Sequence, residues 1–266
     1  SSEGFLNYNN KLKPRFKIVN NLNLINDNIV NEDSEALTFN YQNQFSDSRF
    51  YGTDLVDNTA RVVYGLESDV NSFGHRIDLN VNQSYDFKKN SNYTKKINQN
   101  SNFSDLAFEA KTNFNDIFFK IDSRLDNNDL EKKEMNYSVQ YSKNIDLDIE
   151  YNETDAQAFQ HSSSSTQSLG MNLGKQLNNN VKLYLNSDID LKNNYSPLTQ
   201  EIKLSLFDEC SKLEISYLNE RYNDNYNTKP NETISISFHM DYLGFFGYEQ
   251  KSNLLFEEAG EIDYGN

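Results

Sequence analysis

Apolar and polar residues alternate with a period of two along most of this chain, and that pattern restricts its folds more than any other feature. The run Thr233-Ile234-Ser235-Ile236-Ser237-Phe238-His239-Met240 is the cleanest case. Val181, Leu183 and Leu185 alternate with Lys182, Tyr184 and Asn186, and Ile145, Leu147 and Ile149 with Asp146, Asp148 and Glu150. A strand points successive side chains to opposite faces, so each run makes one apolar and one polar face. Twelve such segments are legible, at 11–20, 58–70, 74–86, 103–114, 117–127, 132–143, 145–153, 165–176, 179–190, 198–208, 210–222 and 230–243. Strands of soluble proteins average about 5–6 residues, whereas tilted membrane strands need about 9–11. Most of these segments have the longer length.

The connections repeat an asymmetry. Short ones fall near 71–73, 115–116, 144, 177–178 and 209, and longer ones near 21–57, 87–102, 128–131, 154–164, 191–197 and 223–229. Brief turns at one end and longer polar loops at the other is the plan of an outer-membrane barrel. Composition agrees. Only 36% of the chain is hydrophobic, the net charge is -15, and Asn is abundant at 41 residues. A soluble sandwich needs an apolar layer between its sheets. A water-filled barrel needs apolar residues only toward lipid. The reading is an all-β, antiparallel transmembrane β-barrel over 1–247 with an acidic tail at 248–266; a soluble β-solenoid or sandwich is the alternative. With 17 Tyr and 18 Phe the chain is too aromatic for full disorder. Its acidity excludes nucleic acid as a partner. No apolar run is long enough for a transmembrane helix. The opening SSEGFLNYNN has no Met and no signal-like segment, so a processed chain or a fragment is expected.

No catalytic, metal or cofactor constellation emerges. His75, His161 and His239 show no ligand spacing, and the His161-Ser162 run lacks a nucleophile elbow. Asp146, Asp148 and Glu150 read as charges of the polar face, balanced by Lys182, Lys203 and Lys212. The single cysteine, Cys210, is either a buried thiol or one half of a bond to another segment or chain. Two stretches are not explained by periodicity. One is Arg49-Phe50-Tyr51-Gly52-Thr53-Asp54, followed by Asp57, Arg61 and Tyr64-Gly65. Its opposed charges and glycine, inside a long connection, suggest an ordered loop tucked against the barrel. The other is Asp208-Glu209-Cys210, ahead of Tyr217, Tyr222, Pro230 and Thr233.

These stretches resemble the signatures of the LptD (organic solvent tolerance protein, OstA) family of lipopolysaccharide-assembly outer-membrane proteins. The first matches with Asn31-Glu32-Asp33-Ser34 ahead of it, and the second runs on to Leu243-Gly244, so the resemblance spans roughly 12–247. It implies the outer membrane of a Gram-negative bacterium and a non-enzymatic role. Lipopolysaccharide would enter the outer leaflet through a polar lumen and a lateral seam. It further implies that the twelve segments are the last strands of a 26-stranded barrel, whose periplasmic domain bonds Cys210 through a disulfide. Arg49, Phe50, Gly52, Asp54, Asp57 and Arg61 would form a plug loop. The last strand, with Pro230, Thr233, Ile234, Ile236, Phe238 and Met240, would edge the seam, and Lys182, Lys203 and Lys212 would contact lipid phosphates. An LptE-like lipoprotein plug, a periplasmic LptA-like bridge and outer-membrane lipid complete the implied partners. A passive diffusion porin and a structural or adhesive surface barrel are the competing functions.

Overall fold

The computed structural model describes residues 11–21, 35–37, 39–52, 57–72, 74–89, 93, 97, 99, 101–156, 158, 164–193, 195–221, 231–240 and 244–252. The elements in chain order are β1 (Lys11–Asn20), β2 (Glu35–Ala36), α1 (Tyr41–Gln44), β3 (Phe50–Tyr51), β4 (Ala60–Ser72), β5 (His75–Lys88), β6 (Leu106–Phe114), β7 (Ile117–Leu125), β8 (Lys132–Ser142), β9 (Asp146–Thr154), β10 (Thr166–Asn178), β11 (Val181–Asp190), β12 (Ser196–Phe207), β13 (Ser211–Glu220), β14 (Asn231–Met240) and β15 (Gly244–Ser252). Thirteen strands hydrogen-bond in the order β1-β4-β5-β6-β7-β8-β9-β10-β11-β12-β13-β14-β15, and β2 pairs separately with β3. Helix α1 is one turn, capped by the Asn40 side chain, which accepts from the Asn43 amide at 2.8 Å. Gly74 and Asn115 take the left-handed backbone conformation at two of the tight turns, φ 79° and 54°, where Gly and Asn are favoured.

The chain divides into two compact units, one of residues 1–139 and 150–167, the other of 140–149 and 168–266. In the second unit, cross-strand rows show what the alternation builds. Leu173, Leu185, Ile202, Tyr217 and Ile234 are register partners in succession from β10 to β14. Leu183, Leu204, Ile215, Ile236 and Tyr248 form the next such row. Neighbours in these rows pack side by side, which stabilises the sheet pair by pair. The opposite face carries Tyr184, Lys203, Ser216 and Ser235 in one row, with the Ser216 and Ser235 hydroxyls 2.6 Å apart.

The apolar face is the exposed one. Ile202 is 53% exposed and Ile236 45%, while Ser205 on the polar face is 1% exposed. The first unit repeats this inversion. On β1, Leu12, Phe16 and Ile18 are exposed; on the polar face, Asn82, Asp86, Glu109 and Arg124 are buried. The small apolar cluster of this unit, Phe39, Tyr41, Phe50, Tyr93, Ile97 and Ala107, belongs largely to two connecting segments, 35–59 and 89–105.

The structure differs from the sequence reading at the C-terminal end. All twelve expected segments carry strands, and β15 is a thirteenth in the same sheet. It pairs with β14 from Met240↔Gly244 to Glu232↔Ser252. In this sheet the 230–243 strand is therefore interior rather than terminal, and pairing continues past the boundary expected at 247. The run Gly244-Phe245-Phe246-Gly247-Tyr248 hides its alternation because glycines take polar-face and apolar-face places alike. Phe246 and Tyr248 nonetheless fall opposite Phe238 and Ile236, extending the apolar rows.

Gly65 of β4 lies under the Phe45 ring and beside β5. A Cβ there would meet the Val81 carbonyl oxygen at 2.7 Å, the Asn82 Cβ at 2.9 Å and the Phe45 ring at 3.3 Å. Gly65→Val is expected to destabilise the fold by about 1–3 kcal/mol, as overpacking does. The measurement is the unfolding midpoint of detergent-solubilised protein, and an unchanged midpoint would remove Gly65 from the account.

Candidate functional site: a charged loop clamped on the polar face

The described parts of 39–59, residues 39–52 and 57–59 of the connection between β1 and β4, fold back over the polar face of the first unit. The segment's backbone is tied to the sheet at several points. Lys17 of β1 donates to the Phe45 carbonyl at 2.7 Å. Asn82 of β5 donates to the Tyr41 carbonyl at 2.6 Å. The Gln44 side-chain amide donates to Ser104 Oγ of the 89–105 connection at 3.2 Å.

Two ionic clamps hold it. The first is buried and centres on Asp57. Its Oδ2 accepts from Arg49 Nε at 2.8 Å, the Arg49 backbone N–H at 3.1 Å and Arg61 Nη1 at 2.6 Å. Its Oδ1 accepts from Arg49 Nη2 at 3.0 Å. Arg49 reaches on to Asp86 of β5 at 3.2 Å, and Arg61 donates to the Ser46 carbonyl at 2.6 Å. Two guanidinium groups and two carboxylates thus make a neutral quartet, all but excluded from solvent. Arg49 also lies 4.3 Å over the Tyr93 ring, a contact that desolvation strengthens. Burial opposes the charge of Asp57. The hydrogen bonds from Arg49 and the positive charges of Arg49 and Arg61 outweigh that penalty and hold its carboxyl below its ordinary range.

The second clamp is nearer the surface. Arg15 of β1 donates to Glu67 of β4 at 2.8 Å and to the Tyr41 hydroxyl at 3.2 Å. The Tyr41 hydroxyl donates to Glu67 at 2.6 Å. Burial first, then the bond to Glu67, pushes the Tyr41 pKa up to about 12, so the phenol keeps its proton and remains a donor. The Phe45 ring lies under the Arg15 guanidinium at 4.1 Å.

A further cluster ties down the 89–105 connection. Arg124 of β7 donates to Asp105 at 2.7 Å, to Glu134 at 2.9 Å and to the Ile97 carbonyl. Lys133 of β8 pairs with Asp105 at 2.9 Å and Asp126 at 2.6 Å. Between the 39–42 backbone and strands β6 to β9 lies a cavity of about 260 Å³, lined by Glu109, Lys120, Arg124, Asn136 and Asn152 among others.

Of the residues singled out by sequence, Arg49, Asp57 and Arg61 meet in the quartet, and Phe50 packs edge-on against Tyr93 at 6.1 Å. Gly52 has φ 85°, a conformation that favours glycine. Asp54, Asn31-Glu32-Asp33-Ser34, His161, Tyr222, Pro230 and Leu243 lie outside the described residues. Thr233 is buried, and Ile234 and Ile236 are exposed on the apolar face. Cys210 is an exposed free thiol in the turn after β12, where Asp208 accepts from its backbone N–H at 3.0 Å. Lys182, Lys203 and Lys212 are each paired with a carboxylate, Asp146 at 2.9 Å, Glu201 at 3.0 Å and Glu214 at 2.8 Å. His75 stacks against Phe114 at 4.2 Å. Among the described residues no group of three metal-ligating side chains converges. Sequence reasoning missed Asp86, Arg124, Asp105 and Lys133. The available signal was parity: Asp86 and Arg124 fall on the polar side of their strands, each beside a long connection.

A sheet with an exposed apolar face, and a polar face that buries charged connecting segments, is the build of a β-type membrane protein. The model of LPS transport system D, LptD, matches residues 3–188, and the chain belongs to that family. It is accordingly an outer-membrane protein of Gram-negative bacteria with a transport role, not an enzyme. The matched residues contain the Arg49–Gly65 stretch and stop before Asp208-Glu209-Cys210. No curated protein matches the chain. Among solved structures, the Salmonella typhi OmpF complex with daunomycin aligns at 11% identity and a TM-score of 0.36, covering 93% of this chain and 92% of that one.

Replacing Asp57 with Ala would leave Arg49 and Arg61 buried against Asp86 alone. Breaking such a buried pair costs about 3–5 kcal/mol, so Asp57→Ala is expected to release the loop to protease at neutral pH. The pH dependence has a definite sign. The depressed pKa of Asp57 means its stabilisation is full above the unfolded-state pKa and is lost as pH falls through the folded value. Pepsin digestion across the acid range should therefore show cleavage within 39–59 appearing at the acid end. Equal cleavage at every pH would contradict the clamp.

Proposed function

We propose that this chain carries lipopolysaccharide across the outer membrane, as the barrel portion of a larger LptD-type protein of 26 strands. Head-group sugars would travel along the polar face, while acyl chains stay on the apolar side. The observation that supports this most is the 39–59 segment lying over the polar face under a neutral, buried clamp. A segment held so firmly over the polar face is suited to act as a stopper that small solutes cannot push aside, as a carrier of large polar cargo needs. The Asn- and Ser-rich polar face offers many weak hydrogen bonds to a sugar and no deep trap. An LptE-like lipoprotein and a periplasmic LptA-like bridge are the partners the family implies. Cys210, exposed at its turn, is available to a thiol elsewhere in the complete protein.

In this reading the 39–59 segment must shift for cargo to pass. Gln44→Cys with Ser104→Cys, in a Cys210→Ser background, would tie the segment to the 89–105 connection, whose Ser104 N–H donates to the Ser84 carbonyl of β5 at 2.9 Å, at a place where the native side chains already touch. Export of lipopolysaccharide to the cell surface is expected to fall under oxidising conditions and to recover with reductant. Full export by the oxidised, crosslinked protein would sink the stopper role.

A further inference from the structure

The polar face of β1 carries Lys11, Lys13, Arg15 and Lys17 at alternate positions, a concentration of positive charge in a chain of net charge -15. Several described lysines of other strands have carboxylate partners. Lys111, Lys120, Lys132, Lys182, Lys203 and Lys212 each lie 2.6–3.2 Å from one, while Lys88 at the end of β5 donates to the Asn58 side-chain oxygen at 3.0 Å instead. On β1, Arg15 is taken by Glu67 and Tyr41, and Lys17 by Asp47 and the Phe45 carbonyl. Lys11 and Lys13 are exposed and form no ion pair among the described residues.

Carboxylates are not lacking nearby. Asp69 is the register partner of Lys11 and Glu67 that of Lys13. Both are already engaged, Asp69 by Arg76 at 3.1 Å and Glu67 by Arg15 and the Tyr41 hydroxyl. Two like charges two residues apart on one strand face stand about 7 Å from each other. They repel, and an acid-rich sequence would ordinarily neutralise them from within. A phosphate group offers several acceptor oxygens to ammonium donors on both sides of it, each bond charge-assisted.

We propose that Lys11 and Lys13, backed by Arg15, form a receiving site for a phosphate group, and that Lys182, Lys203 and Lys212 do not, because their charge is already spent on carboxylates. The site deepens the export reading above and rests on it for its biological ligand, a phosphate-bearing lipid head group. Its chemistry is testable without export. Because β1 also holds the loop through Arg15 and Lys17, phosphate would arrive beside the second clamp.

The test uses the full chain in neutral detergent, titrated with dioctanoyl phosphatidic acid, inorganic phosphate and, as the uncharged control, dioctanoylglycerol. Phosphatidic acid should bind, with affinity falling as salt rises. Lys11→Gln with Lys13→Gln should weaken it by about tenfold or more, the loss of at least one charge-assisted bond. Lys11→Arg with Lys13→Arg should retain it, and Lys182→Gln should leave it unchanged. Tighter binding of phosphatidic acid than of inorganic phosphate supports a lipid head group, and equal binding supports the same site for a free anion. Undiminished affinity in the double Gln variant, or an equal loss in Lys182→Gln, overturns the assignment. Should export fail to depend on the chain while phosphate binding still depends on Lys11 and Lys13, the export reading falls and the site stands.

Discussion

A strand in which every second residue is apolar must place that row of side chains somewhere, and here the described structure leaves it uncovered. Rows such as Leu183, Leu204, Ile215 and Ile236 run across successive strands without a second sheet or helix to meet them. In water such a surface would be a large aggregation liability. In lipid it carries no penalty, and it frees the other face to be polar. The low apolar content, the long strands and the buried charges all follow from that inversion.

The second consequence concerns charge. Taking a carboxylate or guanidinium out of water costs several kcal/mol even after relaxation, so buried charges must be matched closely. The Arg49–Asp57–Arg61–Asp86 set does this with two charges of each sign. Such sets add little net stability over a well-packed apolar equivalent, but they are demanding about geometry. For the 39–59 segment that favours one docked position, which suits a stopper better than a greasy contact able to slide.

Much of the fold was legible because its signal is local. A period of two, strand length and turn chemistry sufficed to place all twelve expected strands. β15 was missed because Gly244 and Gly247 leave no polarity contrast to read. The Arg49–Arg61 stretch stood out through charge inside a long connection, but its partner Asp86 lies 25 residues beyond Arg61 on another strand, and only pairing register brings them together. Charge balance on the polar face was legible in kind but not in every partner: Lys182 meets Asp146 across a strand, whereas Lys203 and Lys212 take Glu201 and Glu214, two residues along their own strands.

Which face of the sheet meets lipid decides the membrane placement. Single spin labels at each position from 233 to 240, in a Cys210→Ser background reconstituted into phospholipid bilayers, report collision rates with oxygen, which favours lipid, and with a water-soluble nickel chelate. Oxygen collisions should peak at 234, 236, 238 and 240, and nickel collisions at 233, 235, 237 and 239. The reverse phase, or no alternation at all, would contradict the membrane placement and the transport route built on it.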